Sequence, residues 1–244
     1  ISGSELVITS GGVLTFASAP DYETKTSYSA TVTATDGTNS STQDITVTVT
    51  NTNDNTPYIT SSATFSLVEN QTTIGTITAM DDDGDALSFS LSGTDASSMS
   101  INATSGFLNF INAPDYETKS FYSATVTATD GTNSSTQDIT VTITDIDDTA
   151  PVFSSSASFS AAENQTSIGT VTATDVDTDN SSITFSISGS ELVITSGGVL
   201  TFVSAPDYEM KTSYSAIVTA SDGTNSSTQD ITVTITDVNE APMI

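Results

Sequence analysis

The chain has 244 residues, with 30 acidic side chains against 3 basic ones, a formal net charge of −27, and no histidine, cysteine or tryptophan. That balance excludes a phosphate-binding surface for nucleic acid and argues against docking on anionic lipid. The missing thiols rule out a disulfide framework, and with the missing imidazoles they argue against structural zinc. Such acidity can accompany disorder, but 35% of the residues are hydrophobic and they alternate with polar ones, which favours folded strands.

In chain order, period-two patterns predict strands over residues 6–8, 13–16, 28–34 and 45–49. After an acidic stretch, more follow over 65–67, 74–77, 87–91, 99–101, 107–110, 122–128 and 139–143. In these runs Val, Ile or Leu alternate with Thr or Ser, the pattern of a half-buried strand with Thr facing water. The Asp130-Gly131-Thr132-Asn133 stretch supplies a turn between the last two. About seven short strands in about ninety residues point to a β-sandwich. No helical periodicity competes with this reading. No apolar run approaches the roughly 18 residues that span a bilayer.

Self-comparison shows a repeat. Asp21-Tyr22-Glu23 recurs as Asp115-Tyr116-Glu117 and Asp207-Tyr208-Glu209, and Glu69-Asn70-Gln71-Thr72 recurs as Glu163-Asn164-Gln165-Thr166. Residues 1–16 are identical to residues 187–202. The expected organisation is therefore the back half of one repeat (1–56), a complete repeat (57–150), a second complete repeat (151–242), and the opening of another at Met243 and Ile244. No leader pattern opens the chain at Ile1, so an internal piece of a longer array is expected. Residues 1–56 alone would leave their apolar faces and strand edges bare.

An acidic phrase closes each repeat. It reads Asn51-Thr52-Asn53-Asp54-Asn55-Thr56-Pro57, then Asp145-Ile146-Asp147-Asp148-Thr149-Ala150-Pro151, then Asp237-Val238-Asn239-Glu240-Ala241-Pro242. Each lies about thirty residues after an Asp-Tyr-Glu. Oxygen donors recurring at the joints of an array suggest Ca²⁺ between domains, because hard cations take six to eight oxygen ligands. The plain reading of any single acid is a solvated loop charge. That reading is kept for Asp82, Asp95, Asp138 and Asp230.

Taken together these residues resemble cadherin repeats, in the form found in large bacterial surface proteins. The resemblance rests on Glu69-Asn70, Asp175-Val176-Asp177, Gly106-x-Leu108 leading to Asp115-Tyr116-Glu117, Ala128-x-Asp130-x-Thr132, and the linker from Asp145 to Pro151, in that family's order. It implies an all-β fold of tandem Ig-like, cadherin-type Greek-key sandwiches, and up to three Ca²⁺ ions at each linker. At the second joint it implies Glu69, Asp115, Glu117, Asp145, Asp147, Asp148, Asp175, Asp177, Asn180 and Asp222, with the backbone carbonyls of Ile146 and Thr149. At the first joint it implies Asp21, Glu23, Asn51, Asn53, Asp54, Asn55, Asp81, Asp83, Asp85 and Asp130. Asn51 stands there where the family has Asp, so fewer carboxylates gather and affinity should be lower. The third joint offers Glu163, Asp207, Glu209, Asp237, Asn239 and Glu240 but no upper lobe.

No cysteine or histidine nucleophile and no Gly-rich phosphate loop appears, and the carboxylates sit at joints rather than in an aromatic-walled groove, so no enzyme is expected. The leading expectation is a Ca²⁺-rigidified extracellular array, a stalk or spacer of a large cell-surface adhesion protein. Its partners would be calcium ions, neighbouring repeats of the same parent chain or other copies, and a surface protein or glycan. A structural segment of an extracellular filament, sheath or appendage is the alternative. A carbohydrate- or protein-binding module ranks last, because the strands expose Thr and Ser rather than aromatic side chains.

Overall fold

The computed structural model describes residues 1–241, so the expected repeat opening at Met243 and Ile244 lies outside the described residues. The chain is nearly all β, interrupted among the described residues by two single 3₁₀ turns at Ala96–Ser98 and Asn180–Ser182. No helix among them is long and apolar enough to cross a membrane. Two compact units form: residues 1–114 with 121–142, and residues 115–120 with the chain from Ile143 onward.

The first unit opens with two separate two-stranded sheets. Leu6–Ile8 pairs antiparallel with Leu14–Phe16, and Ser27–Thr35 with Ser40–Thr48. A complete sandwich follows. One sheet orders Met99–Ile101, Phe107–Phe110 and Thr73–Thr76. The other orders Thr64–Val68, Ser134–Thr144, Phe121–Thr129 and Ser88–Ser92. The alternation read from the sequence sets which side chains meet between these sheets: Val126, Ile139, Val141, Leu108 and Ile77 are buried, while their Thr neighbours face out. Beyond the expected strands, the two-residue segments Tyr58–Ile59 and Ala79–Met80 pair as a separate two-stranded sheet.

The second unit repeats this plan. Ser158–Ala162 lies parallel to Ser226–Thr236, which pairs with Ser213–Ser221 and through it with Thr184–Ile187. Ser167–Thr170, Val199–Phe202 and Leu192–Ile194 make the opposite sheet. The core is Val171, Leu192, Leu200, Phe202, Val218, Ile231, Val233 and Ile235, with Phe153, Phe159 and Phe185 packed against it. Burying side chains of this size contributes about 1.5–3 kcal/mol each.

One turn cannot be built with another residue. Gly198 has φ +85°, and a Cβ there would overlap the carbonyl oxygen of Val171, whose own N–H donates to the Gly198 carbonyl at 2.8 Å. Gly106 stands in the same relation to Ile77.

Asp95 departs from its reading as a solvated loop charge. It is buried, and its Oδ2 accepts from the Ser123 N–H at 2.9 Å while its own N–H donates to the Ser123 carbonyl. Ser188 does the same for Ile217, and Ser2 for Thr31. These serines make the same kind of two-way clamp two residues further along the strand, where the middle repeat has Ser92 opposite Thr125. Asp138 behaves as read: exposed on its strand, it accepts from Thr125 across the hairpin at 2.6 Å.

Candidate metal centres

The acidic phrases fold as linkers without regular structure, and a docked backbone holds them. In the first unit, Asp83 Oδ2 accepts from the N–H groups of Asp54 and Asn55 at 3.0 and 2.8 Å, and Asn51 Nδ2 donates to the Asp83 carbonyl at 2.9 Å. In the second unit, Asp177 Oδ2 accepts from the N–H groups of Asp148 and Thr149 at 3.0 and 2.7 Å. The same carboxylate position in both cases thus seats the linker on two adjacent N–H donors; Asp83 Oδ1 also accepts from Asn55 Nδ2 at 3.0 Å, whereas Asp177 Oδ1 is left over.

These docked linkers gather carboxylates. Oxygens of Glu23, Asp54 and Asp83 lie within 4.8 Å of one another, as do those of Asp81, Asp83 and Asp85. In the second unit, Glu117, Asp148 and Asp177 meet the same limit, and so do Glu163, Glu209 and Glu240. Two oxygens bound to one Ca²⁺ ion at about 2.3–2.6 Å each can lie up to about 5 Å apart, so oxygens gathered this closely can share an ion. The crowding is felt electrostatically. Glu23's own backbone N–H holds its carboxyl down, but desolvation and the neighbouring Asp21 and Asp83 outweigh it and the group is raised. Glu209 is raised in the same way, its backbone N–H being outweighed by desolvation and by Glu163, Glu240 and Asp237.

Local structure decides which acids reach a cluster. Asn70 and Asn164 take left-handed backbone at φ 61°, turning the chain directly after Glu69 and Glu163, and both glutamates are buried. Glu163 accepts from the Tyr208 and Val238 N–H groups at 2.7 and 2.8 Å, which ties it to both the Asp-Tyr-Glu turn and the linker. Within Asp-Tyr-Glu the two acids divide the work. Asp21 caps its turn by accepting from Thr24 Oγ1 at 2.8 Å, and Asp115 from Thr118 Oγ1 at 2.9 Å, while Glu23 and Glu117 enter clusters. Asp207 caps likewise through the Met210 N–H.

Other expected residues are placed nearby in different ways. Asn180 turns its Oδ1 onto the Asp175 N–H at 2.8 Å. Asp147 accepts from Asn225 and Thr178. Asp130 is lowered, the cost of burial being outweighed by N–H donors from Asn133 and Thr132. Asp145, Ile146, Asp237 and Asn239 stand exposed. Sequence reasoning missed Asn133 and Asn225, whose side chains contact the linkers; their only signal was a fixed place after Asp-Gly-Thr.

Four buried carboxylate oxygens have no hydrogen-bond partner among the described residues: Asp81 Oδ2, Asp175 Oδ2, Asp177 Oδ1 and Asp222 Oδ2. In each residue the other oxygen is taken, by the Asp83 N–H for Asp81, by Asp177 and Thr178 for Asp175, by the linker for Asp177, and by Thr224 and Asn225 for Asp222. An unpartnered buried carboxylate oxygen is costly, and a hard cation satisfies it. The donor set is all oxygen, so these residues fit Ca²⁺.

The sequence profile described as Cadherin domain matches residues 63–144 and again 156–236. The chain belongs to the cadherin family. Protocadherin Fat 4 of Mus musculus is 33% identical over 246 residues, covering 91% of this chain and 5% of its own length. Cadherin EGF LAG seven-pass G-type receptor 2, also of Mus musculus, is 33% identical over 253 residues, covering 93% of this chain and 9% of its own. The solved extracellular cadherin domains 1–5 of Protocadherin Gamma B2 superpose with a TM-score of 0.76 at 26% identity, covering 97% of this chain and 51% of theirs. The chain thus spans less than a tenth of these two curated relatives. Both are mammalian and lend nothing to the bacterial setting expected from the sequence. Cadherin repeats as a class are adhesion modules of extracellular proteins, and as a class they bind Ca²⁺.

Proposed function

We propose that this chain is a Ca²⁺-rigidified stalk segment of a large extracellular adhesion protein. The repeats run 1–56, 57–150 and 151–242, and the linkers between them are the cation sites. The observation that carries the reading is the set of four buried, unpartnered carboxylate oxygens beside carboxylates gathered within 4.8 Å. At the second joint Glu117, Asp148, Asp175, Asp177 and Asp222 would hold the ions with Asp145 and Asp147, and the family resemblance adds Glu69, Asp115 and Asn180. At the first joint Glu23, Asp54, Asp81, Asp83, Asp85 and Asp130 would do so. Glu163, Glu209 and Glu240 form the lower lobe of a third.

Bound Ca²⁺ supplies charge neutralisation and a crosslink between ligands from different strands. The protein's own part is to present the oxygens. Asp83 and Asp177 dock the linker backbone, the Asp-Tyr-Glu turn aims its glutamate, and the left-handed Asn sets the buried glutamate. A neutralised linker loses its self-repulsion and stiffens, which is what a stalk needs. Extracellular modules bind Ca²⁺ at about 10⁻⁴–10⁻³ M, matching millimolar levels outside cells.

Calorimetric titration of the chelator-treated chain with Ca²⁺ tests this. Saturable uptake of more than one ion in the millimolar range or tighter is expected, with Mg²⁺ much weaker. Heats no larger than those of dilution would end the proposal.

A further inference from the structure

The hairpin loop that follows each Asp-Gly-Thr is built the same way in all three repeats, and its last residue is Asn39, Asn133 or Asn225. In each copy the aspartate's Oδ1 accepts from the asparagine N–H, at 2.7, 2.6 and 2.6 Å. A hydroxyl from Thr35, Thr129 or Ser221 donates to the asparagine carbonyl at 3.0, 2.7 and 3.0 Å. The loop therefore fixes the asparagine backbone whether or not a linker lies beside it. What differs is the carboxamide. Asn133 Nδ2 donates to Asn53 Oδ1 at 2.9 Å and to the Asn55 carbonyl at 3.0 Å. Asn225 Nδ2 donates to the Asp147 carbonyl and to Asp147 Oδ1, both at 3.1 Å. Asn39 is exposed, and among the described residues its hydrogen bonds run within its own loop, to Asp36 and Thr35.

We propose that Asn133 and Asn225 are positioning residues that clamp the linker from the hairpin side, opposite the clamp made by Asp83 and Asp177. The linker is then held on two sides: a carboxylate grips its N–H groups, and a carboxamide grips a carbonyl and the side chain at position 53 or 147. The chemistry suits an acidic joint. A carboxamide donor fixes oxygens without adding negative charge, and without a positive charge that would compete with a cation. Asp54 and Asp148, one residue beyond position 53 or 147, are thereby presented in one orientation. This consequence for metal binding rests on the reading of the linkers as Ca²⁺ sites; the clamp itself does not.

The test uses the full chain with four single variants: Asn39→Ala, Asn133→Ala, Asn225→Ala and Asn225→Asp. The last keeps the shape and removes the donor. In chelator, amide exchange at residues 53–55 should rise about three- to tenfold in Asn133→Ala, and at 147–149 in both Asn225 variants, the scale of one or two lost hydrogen bonds. Asn39→Ala should change neither linker. On titration with Ca²⁺, Asn133→Ala and Asn225→Ala should each weaken uptake by about the same factor, and Asn39→Ala should titrate as the unaltered chain. Linker exchange unchanged in the Asn133 and Asn225 variants, or raised equally by Asn39→Ala, overturns the clamp whether or not the chain binds Ca²⁺. An unaltered chain that takes up no Ca²⁺ overturns the reading of the linkers as metal sites while the exchange result still decides the clamp.

Discussion

Residues 1–16 and 187–202 have one sequence and two environments. Their local structure agrees closely. Both form a short antiparallel hairpin, closed by Thr9 N–H to the Val13 carbonyl at 3.0 Å in one and Thr195 N–H to the Val199 carbonyl at 2.9 Å in the other. Burial does not agree. Leu14 is 37% exposed, whereas Leu200 is 0%. Val32, Ile45 and Val47 are half-buried, whereas Val218, Ile231 and Val233 are sealed. The difference comes from residues 152–187, whose Phe153, Phe159 and Phe185 cover the second copy. Strand and turn formation is thus a local property of this sequence, and a core requires the other half of the sandwich.

The largest effect expected from this contrast is in amide exchange. In a strictly monomeric sample, the strands at Ser27–Thr35 and Ser40–Thr48 should exchange at least about a thousandfold faster than those at Ser213–Ser221 and Ser226–Thr236, since local opening in the first needs no disruption of a closed core. Equal protection would mean that the half-sandwich is stable unaided and the contrast is unimportant.

A paired substitution sharpens the same point. Gly12 and Gly198 share φ +85°, but a Cβ at Gly12 meets nothing within 4 Å. Gly12→Ala should cost about 1–2 kcal/mol of local stability, the ordinary cost of left-handed backbone. Gly198→Ala adds the clash with Val171 and should cost about 3 kcal/mol or more in denaturant unfolding of the complete repeats. Similar losses from the two would show that the close approach at Val171 does not constrain the third repeat.

At the joints, Asp148→Ala should weaken Ca²⁺ uptake by more than about tenfold, because it removes a clustered carboxylate. Asp138→Ala should leave uptake unchanged. Calorimetry on both separates named geometry from bulk negative charge, and matching losses would favour bulk charge.

The smallest effect concerns the lysines. Lys211 pairs with Glu191 at 2.6 Å and sits 4.3 Å from the Tyr214 ring centre, while Lys25 repeats this with Glu5 and Tyr28. Both pairs are half-exposed, so Lys211→Met should cost no more than about 1 kcal/mol by thermal unfolding. Lys25→Met should leave the melting of the complete repeats where it is. A larger shift from Lys25→Met would tie the half-sandwich to the stability of the rest.

The sandwich was legible in the sequence because period-two alternation states which side chains face inward, and the repeat states how often the pattern recurs. Short pairs and edges were less so. The pair Tyr58–Ile59 and Ala79–Met80 is too short for alternation to register, and the burial of Asp95 depends on a strand edge distant in sequence. For the joints, residue type and order pointed to the acids that gather, since Glu23, Asp54, Asp83, Glu117, Asp148 and Asp177 were all expected there. What the sequence could not convey was the division of labour within them. Nothing in Asp-Tyr-Glu says that its aspartate caps the turn while its glutamate reaches the cluster. Asn133 and Asn225 escaped notice because a neutral amide carries no charge signal and its partners lie 78–80 residues away.

Thermal unfolding in millimolar Ca²⁺ and in chelator tests the central claim most directly, because ions bound at the linkers stabilise the folded state by mass action. The account expects a clearly higher midpoint with Ca²⁺, about 2.7 kcal/mol for each site at a hundredfold excess over its dissociation constant, together with a larger radius of gyration as the linkers stiffen. Coincident midpoints and unchanged solution-scattering dimensions would contradict it.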